Sequence, residues 1–269
     1  MKTFLITGAT SGIGEACARH CLAQGDQVVA LCRNGDKAHR LFAPELASGQ
    51  MVLLEHDLAC NDGLYKQCLS ELKPFKIERF IHCAGVGLIK GMASTTHAEL
   101  LQLYETHLFA LSEIMRALVR LCQFKYELSA VALSSVASPA YLVQNAAYGL
   151  GKDSVDHYVR LLNKQLNAAP QKRLPPPAQA LAAAEAIEDP EQRARAVAIA
   201  QAQAGLMLRI NALAPGMVDT PLGDCDTYLE QELPLNVIPM EVIVHWIFEI
   251  LETPYMSGQT VVLNNDWVY

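Results

Sequence analysis

The sequence has no excess of positive charge: 21 Lys and Arg stand against 28 Asp and Glu, a formal net charge of -7. Without a basic stripe to neutralise phosphates, there is no electrostatic case for nucleic-acid binding, although an anionic small substrate stays compatible with the balance. No apolar stretch is long enough to span a membrane without charges. The first apolar run, Phe4-Leu5-Ile6, is too short for the core of a signal peptide and ends in Thr7-Gly8. These absences predict a cytoplasmic protein. There is also no Cys-x-x-Cys pair among the eight cysteines, at 17, 21, 32, 60, 68, 83, 122 and 225. Cys17 and Cys21, four apart on an expected helix, read as packing, so no metal site is expected and a reduced compartment is the simplest reading. Charged residues are sparse at 18% and hydrophobic ones make up 51% of 269 residues, which excludes a disordered chain and suits one domain with a large core.

What is present alternates. Short apolar runs at 3–7, 28–32, 51–54, 79–83, 130–133, 208–213 and 260–263 read as buried strands. Helical spacing lies between most of them, over 15–24, 62–73, 97–123, 148–167 and 239–252. Strands alternating with helices predict an α/β fold of the Rossmann type, a doubly wound parallel sheet over residues 1–269. One segment, 168–205, breaks the rhythm. It runs through Pro170 and Pro175-Pro176-Pro177 into an alanine-rich stretch interrupted by Pro190. It predicts a helical insertion of two short helices split at Asp189-Pro190, too short for a core of its own.

The first strand ends in Thr7-Gly8-Ala9-Thr10-Ser11-Gly12-Ile13-Gly14, which then opens a helix. A sharp turn at Gly8, close backbone approach near Gly12 and tight helix–strand packing at Gly14 suit a pyrophosphate held on backbone N–H groups and a helix N-terminus. The second strand ends Ala30-Leu31-Cys32-Arg33-Asn34. The acid that usually binds the ribose of NAD is missing, and the Arg33 guanidinium suits the 2′-phosphate of NADP, so NADP(H) is expected over NAD(H).

Tyr148 and Lys152 lie four apart at the start of a helix and share a face. A phenol of pKa about 10 is a poor base, but an adjacent ammonium and an oxidised nicotinamide both favour the phenolate. Tyr148 is then suited to exchange a proton with a substrate oxygen as hydride moves at carbon. Thirteen residues before it, Ser135 closes a strand at the carboxyl end of the sheet, where its hydroxyl can polarise a carbonyl.

Together Thr7–Gly14, Ser135, Tyr148 and Lys152 resemble the short-chain dehydrogenase/reductase family, near its ketoreductase and 3-oxoacyl-reductase-like members. More of its pattern follows in order. Asp57-Leu58 resembles the pair after the third strand that meets adenine. Cys83-Ala84-Gly85 resembles the last three residues of the family's Asn-Asn-Ala-Gly. Asn211, Pro215, Gly216, Val218 and Thr220 resemble the segment reaching the nicotinamide carboxamide. The resemblance implies an NADP(H)-dependent oxidoreductase acting on a small-molecule or carrier-tethered carbonyl, assembled as a homodimer or homotetramer through the helices of His107 and Tyr148. A non-catalytic NADP(H) sensor, or a weakly active subunit of a mixed assembly, is the alternative on the same fold.

The departures are specific. His107 stands where the family has an Asn that holds a water in a proton relay with the Lys. Either the imidazole substitutes in that relay and brings a pH dependence, or it is a tolerated replacement. His82 stands at the first Asn of Asn-Asn-Ala-Gly and is expected to make a core hydrogen bond. The ending Val262-Leu263-Asn264-Asn265-Asp266 differs from the family's Asp-Gly-Gly. The segment between Lys152 and Asn211 is longer than usual, and its excess is expected at the amino end of the strands, opposite the chemistry. It is either an assembly or partner element or a surface decoration. A short lid after Thr220, carrying Leu222, Tyr228, Leu229 and Leu233, predicts an open mouth. Leu88, Tyr141, Val143 and Met217 are expected to line a mostly apolar pocket.

Overall fold

The computed structural model describes residues 1–123, 125–138, 145–168, 178–202, 206–222 and 237–264. Among the described residues, seven strands form one all-parallel sheet: β1 (Thr3–Thr7), β2 (Gln27–Cys32), β3 (Met51–Glu55), β4 (Arg79–His82), β5 (Leu128–Leu133), β6 (Leu208–Pro215) and β7 (Thr260–Leu263). Their order is β3-β2-β1-β4-β5-β6-β7. The direction of travel reverses between β1 and β4, and that switch point opens a crevice at the carboxyl ends of both strands.

The sheet is buried on both faces because its strands are apolar at successive positions rather than alternate ones. Along β1, Phe4 and Ile6 pack on one side with α1 (Gly12–Ala23) and the last described helix. Leu5 packs on the other with α3 (Leu64–Glu71), α5 (Ala110–Cys122) and α6 (Ala146–Ala168). Cys17 and Cys21 are fully buried in the first of these layers, and among the described residues no group of three His, Cys, Asp or Glu is arranged to hold a metal.

Two helical regions differ from the expectation. A helix absent from the sequence reading, α2 (Gly35–Ser48), follows β2. Pro44 inside it lacks an N–H and crowds the preceding turn, and Phe42 leaves helical geometry at φ -135°, ψ 31°. That kink interrupts the 3.6-residue period, although both ends carry ordinary signals: the Asn34 side chain accepts from the Lys37 N–H at 2.9 Å, and Gly49 terminates at φ 76°. The stretch expected as one helix over 97–123 is instead α4 (His97–Tyr104), a π-helical turn at Glu105–Phe109, and α5. The widened turn carries His107 into the interior.

The insertion contains α7 (Ala178–Glu185) and α8 (Pro190–Ala202), split at Pro190. The pair lies between the end of α6 and the start of β6, which is the amino end of the strands. The last described helix, α9 (Met240–Glu252), leads into β7. Also at the amino end, two buried guanidiniums are neutralised. Arg79 pairs with Glu252 at 2.8 Å and Glu127 at 3.4 Å, and Arg209 pairs with Glu127 at 2.6 Å. Burial pushes the Glu252 carboxyl up, but hydrogen bonds from Arg79 and Lys2 outweigh it and hold the group at about 2. Among the described residues, no helix is long and apolar enough to cross a membrane.

Candidate active site

The crevice at the switch point is built first by the glycine turn. Gly8 sits at φ +69°, and a Cβ there would lie 3.0 Å from the Ala84 nitrogen, so the turn and the approach of the β4 end both require glycine. A Cβ on Gly14 would strike the Gly8 carbonyl, which is how α1 packs directly on the turn. Around this turn the structure brings together the expected Thr10, Ser11, Gly12, Ile13, Arg33, Asp57, Leu58, Cys83, Ala84, Gly85 and Thr220 in one groove. His56, Gln102 and Thr106 also line it and were not singled out from the sequence. They come from the third strand end and the α4/π-turn region, and neither carries a local pattern that marks a groove.

The groove continues into a second cavity that shares Ile13, Cys83, Thr220 and Leu222 with it. Ser135, Tyr148, Lys152, Pro215, Gly216 and Val218 line this cavity, together with the expected Leu88 and Met217. Tyr141, Val143, Tyr228, Leu229 and Leu233 lie outside the described residues. Ser134, Ile89 and Asn145 line it as well without having been anticipated.

Lys152 is the charged centre of the cavity. Its ammonium donates to the Leu133 carbonyl at 2.9 Å and lies 5.7 Å from the centre of the Tyr148 ring. Burial lowers its pKa to about 8, with Cys83 and Asp156 acting in the opposite direction. Asp156, one turn further along α6, is itself buried and accepts from Ser138 at 2.9 Å and Thr260 at 3.1 Å. Ser134 donates to the Lys152 carbonyl at 3.4 Å. The turn carrying Ser135 is thereby tied to α6 on both flanks. The Ser135 oxygen accepts from the Ala137 N–H at 3.2 Å, which orients the hydroxyl and leaves its hydrogen to donate elsewhere.

His107 lies edge-on to Tyr148, with ring centres 5.7 Å apart. Its Nε2 accepts from the Val86 N–H at 3.0 Å, which places the ring hydrogen of the neutral form on Nδ1. Burial, and then the Lys152 charge, hold its pKa well below 6.5, so the imidazole is neutral at physiological pH. The titration expected of an ordinary histidine is thus displaced by its surroundings. His82 bonds Thr7 Oγ1 through Nδ1 at 3.0 Å, and that same oxygen accepts from the Ala84 N–H at 3.1 Å. Burial and Lys152 lower His82 to about 3 against the pull of the Thr106 and His107 carbonyls. The two histidines therefore bind the ends of β1 and β4 and the loop at Val86 into one frame. Asn211 is structural too: it donates to the Met256 carbonyl at 3.0 Å and accepts from the Gln259 N–H at 3.1 Å, fastening β6 to the approach of β7.

Comparison with known proteins agrees with this architecture. The pattern of the short chain dehydrogenases matches residues 2–169, ending where the insertion begins. Retinol dehydrogenase 8 of Bos taurus is 28% identical over 169 residues, covering 61% of this chain and 54% of that protein; the chain thus spans about half the length of this relative. The uncharacterized oxidoreductase YmfI of Bacillus subtilis is 25% identical over 281 residues, covering 99% of this chain and 98% of the relative. Among solved structures, 4-hydroxyisoleucine dehydrogenase complexed with NADH superposes with a TM-score of 0.76 at 18% identity, covering 100% of this chain and 99% of the other. L-sorbose reductase from Gluconobacter frateurii, complexed with NADPH and L-sorbose, gives 0.73 at 17% identity over 98% and 95%. At those identities the structures speak to the fold alone. The family pattern covers well over half of the chain, and the chain belongs to the short chain dehydrogenase family.

Proposed function

We propose that this chain is a cytoplasmic NADPH-dependent reductase that converts a carbonyl to an alcohol, with Tyr148 as the proton donor. The observation that carries the reading is one cavity. Ser135, Tyr148 and Lys152 line it together, and it opens directly into the glycine-turn groove. The groove suits a dinucleotide: a Cβ at Gly8 or Gly14 would fill the backbone cradle, and the start of α1 faces it. Thr10, Ser11, Gly12 and Ile13 would hold the phosphates, Asp57 and Leu58 the adenine, and Pro215, Gly216, Val218 and Thr220 the nicotinamide end. When bound, the cofactor supplies the hydride.

The chain's own residues do the rest. The Ser135 hydroxyl, oriented by the Ala137 N–H, donates to the substrate oxygen. Tyr148 passes its proton to that oxygen as negative charge develops there. The Lys152 ammonium, fixed by the Leu133 carbonyl, stabilises the charge left on the phenol oxygen. Neutral His107 positions the Val86 loop, and its Nδ1, 3.1 Å from where a Cβ on Gly151 would lie, is buried without a hydrogen-bond partner among the described residues.

The preference for NADPH rests on Arg33 in the groove wall and on the missing acid at the end of β2. The nearest acid in register with that strand end, Glu55, accepts from the Gly35 N–H at 3.2 Å. NADPH use favours the reductive direction. The apolar wall of Leu88, Ile89 and Met217 suits a ketone or a carrier-tethered acyl group. Exposed Leu101, Phe109, Leu150 and Leu161 on α4, the π turn and α6 support a homo-oligomer through that face. The test is NADPH oxidation against ketones, aldehydes and 3-oxoacyl thioesters, with Tyr148→Phe in parallel. Turnover by the wild type that the Phe variant loses supports the reading; tight NADPH binding with no turnover defeats it.

A further inference from the structure

The cavity around Tyr148 contains a polar side chain that hydride transfer leaves without a task. Asn145 immediately precedes α6, and its backbone carbonyl already accepts the Gly149 N–H at 2.8 Å. An asparagine at such a position ordinarily uses its side-chain oxygen to cap the helix. Asn145 does not. The residue is only 7% exposed, its Oδ1 is buried, and that oxygen has no hydrogen-bond partner among the described residues. Leaving an amide oxygen in that condition costs about 1–3 kcal/mol. The neighbouring walls, Leu88, Ile89, Val136, Ala137 and Met217, offer no partner either.

Rotation about the last side-chain bond lets the carboxamide turn either its oxygen or its nitrogen toward the cavity. A hydroxyl both donates and accepts, so it satisfies whichever end is presented. A carboxylate would bring a charge to a cavity whose one Lys or Arg, among the described lining residues, is Lys152. Asn145 stands three residues before Tyr148, a spacing that puts side chains about 5–6 Å apart at the start of a helix. A polar group within about three carbons of the reacting carbonyl comes into its reach at that spacing.

We propose that Asn145 determines substrate specificity by hydrogen-bonding a hydroxyl group on the substrate, so that the enzyme acts on hydroxy ketones in preference to plain ketones. The proposal rests on the reductase reading and narrows its substrate class. A site built to bond a hydroxyl rejects the analogue lacking it, because the buried amide is left unpaired when that analogue binds.

The experiment uses two matched pairs in which a methyl replaces the hydroxyl: hydroxyacetone with butan-2-one, and 4-hydroxybutan-2-one with pentan-2-one. The kcat/KM of each is measured with NADPH for wild type, Asn145→Leu and Asn145→Ala. In at least one pair the wild type prefers the hydroxyl compound by about tenfold or more, and both variants bring the ratio to within about twofold of unity. A wild-type ratio near one in both pairs, as a water on Asn145 would give, overturns the proposal. So does a preference that survives in both variants. If the wild type reduces none of the four, the reductase reading is decided separately by the wider panel of ketones, aldehydes and 3-oxoacyl thioesters. Asn145 is then judged by calorimetric binding of the same four compounds to the NADPH-loaded protein. Tighter binding of a hydroxyl compound that Asn145→Ala abolishes sustains the role, and equal binding within both pairs ends it.

Discussion

In the proposed mechanism Lys152 must stay charged, and the structure names groups that favour its charge. Burial brings its pKa down to about 8, while Cys83 and then the carboxylate of Asp156, one turn away on α6, oppose the fall. Asp156→Asn removes that charge while preserving shape, since the Ser138 and Thr260 hydroxyls can rotate to bond an amide. For side chains four apart on a helix, about 5–6 Å, and an effective dielectric near 20, the attraction between unit charges is about 3 kcal/mol, which sets an upper limit of about two pH units on the shift. The sign is fixed. The working form is the ammonium, present below the pKa, so a lower pKa moves the loss of activity toward lower pH. With a shift of about one unit, the rate at pH 8 falls about fivefold and the rate at pH 6 barely changes. The assay is the pH profile of NADPH oxidation from pH 5.5 to 9.5, with the wild-type alkaline limb expected near 8. A limb that stays in place in the variant refutes the electrostatic argument. A uniform drop across the whole profile would show that Asp156 acts only by holding the Ser135 turn.

Arg33→Ala raises the KM for NADPH by about tenfold to a hundredfold and leaves that for NADH nearly unchanged, as expected for a lost charge-assisted bond to the 2′-phosphate; equal effects on both cofactors would remove Arg33 from specificity. Arg209→Met removes the closer partner of Glu127, at 2.6 Å, and leaves it the longer contact to Arg79, lowering unfolding stability by about 2 kcal/mol in urea titrations, with an unchanged result contradicting the reading of that cluster. Deleting 172–203 leaves NADPH oxidation within about threefold and alters assembly on a sizing column, because the insertion joins elements at the end of the sheet away from the site; loss of turnover with assembly unchanged would reverse that assignment.

Much of the fold was legible because its constraints are local. The glycine turn declares a strand end and a helix start within eight residues, and the strands are continuous apolar runs. α2 was not legible, since the kink at Phe42 and Pro44 breaks the period that identifies a helix, even though Asn34 and Gly49 mark its ends. The π turn at Glu105–Phe109 escaped for the opposite reason: the apolar spacing of 97–123 runs through it without interruption. Within the site, Ser135, Tyr148 and Lys152 follow from spacing, whereas Asn145 and Asp156 acquire meaning only from what surrounds them. An unpartnered amide oxygen and a buried carboxylate one helical turn from a buried ammonium are facts of burial, and burial at a single polar residue is not written in its neighbours. His107 shows the same limit. Its position suggested a titrating group or a tolerated replacement, but burial and then the Lys152 charge keep the imidazole neutral, and its Nε2 accepts from the Val86 N–H.

In the proposed reaction hydride reaches a carbonyl carbon in this cavity with Tyr148 supplying the proton. NADPH carrying two deuterium atoms at the nicotinamide C4, incubated with the best ketone of the panel, tests it through the mass of the product. The expected product from the wild type is an alcohol one mass unit heavier, its formation slowed by about a hundredfold or more in Tyr148→Phe. An unlabelled alcohol, or labelled product formed equally fast by the variant, would contradict it.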